Sequence, residues 1–201
     1  MKAIPELADK IARRYYEIPK DQRNGKCQIT TSTSFFIPKP FTPFQWAKMY
    51  TNEEYIAKAA VVKHAFQEQL NRKSLKYHWH DAEVTVLEGV LARGDRRVGR
   101  VIREAYRLGC LYDSWGDLFD NDKWMQAFED TGVDIGFYNL RERSLDETFP
   151  WDFIDIGVTK QFLKKEWERA VNAQVTPNCR MQCSGCGVAK WKGGVCIEGK
   201  N

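Results

Sequence analysis

One run in this chain alternates with period two. Across residues 28–35, Ile29, Thr31, Thr33 and Phe35 fall on one side and Gln28, Thr30, Ser32 and Ser34 on the other. That is the pattern of a β-branched strand. Pro38, Pro40 and Pro43 follow it and end the ladder, because proline has no N–H to donate. No second run is read as a strand. A lone strand cannot satisfy its edges or cover its faces, so the pattern predicts one piece of a larger sheet.

The remainder reads as helix. Ile4, Leu7, Ala8, Ile11, Ala12 and Tyr15 recur at helical spacing over residues 4–16, and a turn at Asn24-Gly25 precedes the strand. Thr51-x-x-Glu54 is a capping box for a helix with Tyr55, Ala59, Val62, Phe66 and Leu70 on its apolar side. Asp81 caps a helix carrying Val84, Leu87, Val90 and Leu91, and Asp95 caps another with Val98, Val101, Ile102 and Ala105. Asp122 introduces a third with Trp124, Met125 and Phe128, and Thr159 a fourth with Phe162, Leu163, Trp167 and Ala170. Pro150 interrupts the stretch between these last two, which reads as a packed loop. The expected fold is an α/β remnant followed by a mostly α region.

At 201 residues and 43% hydrophobic, the chain has material for a core, and its 26 aromatic residues (7 Trp, 8 Tyr and 11 Phe) make that core unusually aromatic. A net charge of +4 permits an acidic partner without demanding one. No apolar run is long enough to span a membrane, and the charged N-terminal stretch does not resemble a secretory signal. Cytoplasmic localisation is expected, with reduced thiols.

Four cysteines crowd the C-terminal stretch: Cys179-x3-Cys183-x2-Cys186, then Cys196. Gly185, Gly187, Gly193 and Gly194 lie among them and let the backbone wrap tightly. Four thiolates at this spacing predict one closed metal site, either zinc or an iron–sulfur cluster, in a small metal-binding knob. The first three share their spacing with the cluster loop of radical S-adenosylmethionine (radical SAM) enzymes. The fourth cysteine, the glycine at Gly185 and the C-terminal position favour a closed, structural site. Buried, inert thiols are expected for Cys27 and Cys110. His78 and His80 flank Trp79 and read as structural, with ligation from an extended segment as the other reading. Arg93-Gly94-Asp95-Arg96-Arg97 reads as a solvated helix-break-helix corner. Its functional alternative is phosphate capture by Arg93, Arg96 and Arg97.

The segments SFFIPKPFTPFQW, KYHWHDAEVTVLEGVLARGDRRV, PWDFIDIGVTKQFLKKEW and TPNCRMQCSGCG occur in this order. Together they resemble the C-terminal region of an uncharacterised bacterial family of B12-binding-type radical SAM proteins, over nearly the whole chain. The resemblance implies three parts. Residues 1–48 would hold the last helix–strand unit of a radical SAM α/β barrel, with its proline-rich loop. Residues 49–174 would form a helical subdomain, and 175–201 the four-cysteine metal knob. It also implies that Ile37, Pro38 and Pro40 contact S-adenosylmethionine, with Thr31, Ser32 and Thr33 facing the cofactor end of the barrel.

In that family the loop holding the catalytic [4Fe–4S] cluster and a cobalamin-binding-like domain lie upstream of the matched region. The expectation is therefore a fragment, or a chain partnered by an N-terminal half from the same gene or a separate one. Such a chain would be inactive alone, and its parent enzyme would act on an unassigned substrate, with RNA and protein as the candidate classes. The rival expectation is a non-enzymatic RNA-binding module with a structural four-cysteine zinc site.

Overall fold

The computed structural model of the chain describes residues 1–191. These group into two units that interleave in sequence: Met1–Phe36 with Tyr50–Glu88, and Ile37–Met49 with the chain from Gly89 on. The grouping cuts across the expected segments 1–48 and 49–174. No helix among the described residues is long and apolar enough to cross a membrane.

The first unit is a helix–strand pattern played twice. Helix α1 (Ala3–Tyr16) leads to strand β1 (Ile29–Thr33), and helix α2 (Asn52–Gln67) leads to strand β2 (Leu75–Trp79). The strands pair in parallel, with Ile29 opposite Leu75 and Thr33 opposite Trp79. The expected lone strand therefore has a partner, and residues 75–79 correct the reading that everything after the prolines is helical. Ala8, Val62 and Phe66 are buried where both helices cover one sheet face, against Ile29, Leu75 and Tyr77. Phe66 stacks on Tyr77 with centroids 5.1 Å apart.

Asp9 ties α1 to the turn before β2. Its carboxylate is 1% exposed and accepts hydrogen bonds from the backbone and side chain of Asn71, at 2.8 and 3.0 Å, and from Arg13 at 2.6 Å. Burial pushes its pKa up, but those hydrogen bonds outweigh it and the result lies below the ordinary value. Ala8 and Ala12 of the expected α1 face are buried, whereas Ile4, Leu7 and Ile11 remain exposed. The opposite sheet face, bearing Thr30, Ser32, Lys76 and His78, is also exposed.

The second unit surrounds a core of Trp46, Phe149, Trp151 and Leu163. Helix α3 (Ala82–Arg93) ends in this unit, and α4 (Val98–Arg107) packs on α5 (Asn121–Thr131). The short α6 (Ile135–Asn139) and then α7 (Lys160–Val171) follow. Segment 37–49 threads into the unit through its backbone. Met49 N–H donates to Asn139 O at 2.7 Å, Arg143 N–H to Trp46 O at 2.9 Å, and the buried Arg93 to Ala47 O at 2.8 Å.

The capping box at Thr51 and the caps at Asp81 and Thr159 form as expected, whereas Asp95 accepts from Arg97 N–H and α4 starts after Arg97 without a side-chain cap. At α5 the cap is Asp120, which accepts from Lys123 N–H, and Asp122 sits in the first turn instead. Leu70, Leu91 and Ile102 are exposed and do not join the core.

Candidate functional site

The ends of the two parallel strands are the first candidate. Loops at the C-terminal ends of parallel strands are where α/β folds hold ligands. Beside the end of β1 lies an apolar cavity of about 190 Å³ lined by Thr33, Phe35, Tyr50, Tyr55, Lys58 and Tyr77, among others. Thr33 Oγ1 and Tyr77 Oη are 2.8 Å apart, Tyr55 donates to Phe36 O at 2.9 Å, and Lys58 Nζ lies 4.3 Å from the Tyr50 ring centroid. Thr31 and Thr33 point to the helix-covered face, and Ser32 to the bare one. Of the expected cofactor contacts, Pro38 is fully buried, while Ile37 and Pro40 are half-buried. All three belong to the second unit rather than to the one holding the strands.

The cysteine segment is fastened to the start of α7. Cys186 O accepts from Thr159 N–H at 2.9 Å, and Lys190 Nζ pairs with Asp155 at 2.9 Å. The Lys190 hydrogen bond, with one from Gly157 N–H, holds the Asp155 carboxyl below its usual range. Gly187, at φ +108°, packs so closely that a Cβ there would lie 2.8 Å from Gly157 O. At Gly157, at φ +85°, a Cβ would lie 2.8 Å from Trp191 Nε1. No L side chain fits either place without displacement. Upstream, Thr176 donates to Glu166 and accepts from Arg169 at 2.9 Å.

On this anchored stretch Cys179 and Cys183 are exposed and Cys186 is half-buried. The thiols suit zinc or an iron–sulfur cluster as a donor set. However, no three His, Cys, Asp or Glu side chains among the described residues come together as a metal group. Cys196, with Gly193 and Gly194, lies outside the described residues.

The arginine corner divides its three guanidinium groups. Arg93 is 0% exposed and bonded to Ala47 O, so it does not face an outside phosphate. Arg97 grips Asp95 through Nε at 3.0 Å and Nη2 at 2.6 Å, and lies 5.0 Å from the Phe137 ring centroid. Only Arg96 of the three stays exposed without a bond to Asp95 among the described contacts. The Arg97 hydrogen bond, aided by Tyr138, lowers the Asp95 carboxyl to about 2. The corner is thus structural, as the solvated reading anticipated in part, and the three-arginine phosphate clamp is not assembled. His78 is exposed on β2 opposite Ser32, and His80 N–H donates to Thr33 O at 3.1 Å. Neither histidine belongs to a metal group among the described residues.

Sequence reasoning missed the buried Arg143, whose guanidinium lies 5.3 Å from the Phe149 centroid and donates to Tyr138 O at 3.3 Å. Burial lowers its pKa. Arginine in a polar run such as Arg141-Glu142-Arg143 carries no sign of burial. Comparison with family models, curated proteins and solved structures gives no match to this chain.

Proposed function

We propose that this chain is the C-terminal part of a cytoplasmic radical SAM enzyme whose substrate is unassigned. The observation that carries the reading is the doubled helix–strand unit. Two parallel strands share helix cover on one face and present Thr30, Ser32, Lys76 and His78 on the other. Parallel sheets occur almost always with both faces covered, so the bare face calls for cover from further elements. Its polar side chains differ from the apolar packing of a closed α/β barrel and suit a lining that meets a polar cofactor or substrate. The exposed Ile4, Leu7 and Ile11 on α1 suit a neighbouring helix of the same ring.

In this reading the chemistry supplied by S-adenosylmethionine at a [4Fe–4S] cluster is hydrogen abstraction from an organic substrate. Ile37, Pro38 and Pro40 have no side-chain donor or acceptor, so their part is a stiff apolar wall. Cys179, Cys183, Cys186 and Cys196 would hold zinc or an iron–sulfur cluster with a structural role. The parent enzyme would also carry the cobalamin-binding-like domain of the family that the sequence resembles.

The test is release of 5′-deoxyadenosine. The chain purified with a polypeptide carrying the C-x3-C-x2-C cluster loop, encoded in the same frame or beside it, should release 5′-deoxyadenosine from S-adenosylmethionine under dithionite. The chain alone should release none. Absence of turnover, together with salt-dependent binding of the chain alone to tRNA or rRNA fragments, would replace this reading with an RNA-binding module.

A further inference from the structure

The second unit contains a cavity of about 280 Å³ between segment 37–49 and the start of α7. Gln45 lines it and is only 2% exposed. Its Oε1 is occupied twice, accepting from Trp151 Nε1 at 2.9 Å and from Phe41 N–H at 3.2 Å. That fixes the amide with Oε1 on Trp151 and Phe41, so Nε2 is the group Gln45 offers to the cavity it lines. An amide donor that reaches the cavity is matched when a bound group accepts from it. Phe41, also on the wall, holds φ at +58°, a left-handed conformation that bulky residues avoid and that clusters at binding sites.

The opposite wall is the first turn of the 12-residue α7, whose N-terminus adds partial positive charge. The nearby cations are each matched, Lys160 by Asp152 at 2.5 Å and Lys190 by Asp155 at 2.9 Å. A doubly charged phosphate therefore finds no surplus positive charge, whereas a single carboxylate suits the Gln45 amide and the helix end. Asp152 is likewise ion-paired, through the Oδ2 that also takes Phe149 N–H. Among the described contacts its Oδ1 remains an acceptor for the ammonium group of a zwitterion, which adds no net charge to these paired walls. Phe41, Ile154, Val158 and Leu163 supply apolar walls.

We infer that this cavity binds a free α-amino acid with an apolar side chain. Gln45 Nε2 and the α7 N-terminus take its carboxylate, and Asp152 takes its ammonium group. The inference is independent of the barrel reading, since every residue in it belongs to the second unit.

Isothermal titration of the purified full chain tests it with L-leucine, L-methionine and L-phenylalanine, and with phenethylamine and hydrocinnamate, which each lack one charged group. At least one amino acid should bind at millimolar or lower concentration. For phenylalanine, both single-charge analogues should bind about tenfold more weakly or worse. Gln45→Glu keeps both accepted hydrogen bonds while replacing the donor with an acceptor, and should weaken amino-acid binding about tenfold or more. Asp152→Asn should do so through the ammonium group. No binding by any of the three amino acids overturns the inference. So does an analogue that binds phenylalanine's site equally well, or a folded Gln45→Glu protein of unchanged affinity. These titrations need no S-adenosylmethionine and no RNA, so their failure leaves the barrel proposal untouched.

Discussion

Asp95 shows how one carboxylate can hold a corner together and mark it with a pH signature. It accepts from Arg97 N–H at 2.8 Å, from the Arg97 guanidinium, and from Tyr138 Oη at 3.1 Å. Its folded pKa of about 2 lies below the ordinary carboxylate value of about 3.9. A depressed folded pKa stabilises the protein above the unfolded value, and that contribution disappears as pH falls through the folded one. Wild type should therefore lose stability between pH about 4 and about 2 more steeply than Asp95→Asn, which has no proton to take up. The check is the difference between their thermal midpoints, followed by circular dichroism across this range. Glu147, whose carboxyl is also lowered by its bidentate Arg141 partner, contributes equally to both proteins and cancels in the difference. Parallel curves would assign the corner's stability to its backbone instead.

At the level of elements, signals confined to a few neighbouring residues transfer well from sequence to structure. Thr51 Oγ1 accepts from Glu54 N–H at 3.3 Å while Glu54 answers to Thr51 N–H at 2.8 Å. Thr51→Ala should cost about 1 kcal/mol, read as a lower urea midpoint with unchanged slope. A change below a few tenths of a kcal/mol would mean that tertiary packing, not the cap, sets where α2 begins. The same local logic made Asp81 and Thr159 legible. It slipped at α5 because Asp120 and Asp122 are both competent acids, and extended backbone at Asp120 decides between them.

Distant partners are what the sequence hid. β2 is five residues long and edged by charged side chains, and its identity depends on parallel pairing with a strand far upstream. Arg93 looks like part of a polar corner until Ala47 O, 46 positions away, supplies its buried acceptor. Gln45 gave no signal at all, because its role depends on Trp151 across 106 positions. The cysteine spacing was plain to read. Its anchor on Thr159 was not, because a backbone bond to Cys186 O is indifferent to side-chain identity.

On the scale of the whole molecule, the first unit carries more unsatisfied surface than an independent α/β unit tolerates. A two-stranded sheet is marginal by itself, and among the described residues each strand of this one has a single partner. Unpaired strand edges recruit other strands, and an apolar helix stripe seeks cover. On α1, Leu7 is 60% and Ile11 51% exposed, one turn apart and therefore side by side. The purified chain should accordingly associate with itself, its mean sedimentation coefficient rising with concentration. Leu7→Gln with Ile11→Lys should reduce that association while leaving the far-ultraviolet spectrum unchanged, because neither side chain belongs to the core. Addition of the polypeptide bearing the cluster loop should suppress it as well, since the same edges and stripe would then be occupied. A chain that remains monomeric at every concentration would show that its edges and stripe need no neighbour, and would remove the principal structural argument for a barrel shared with further strands.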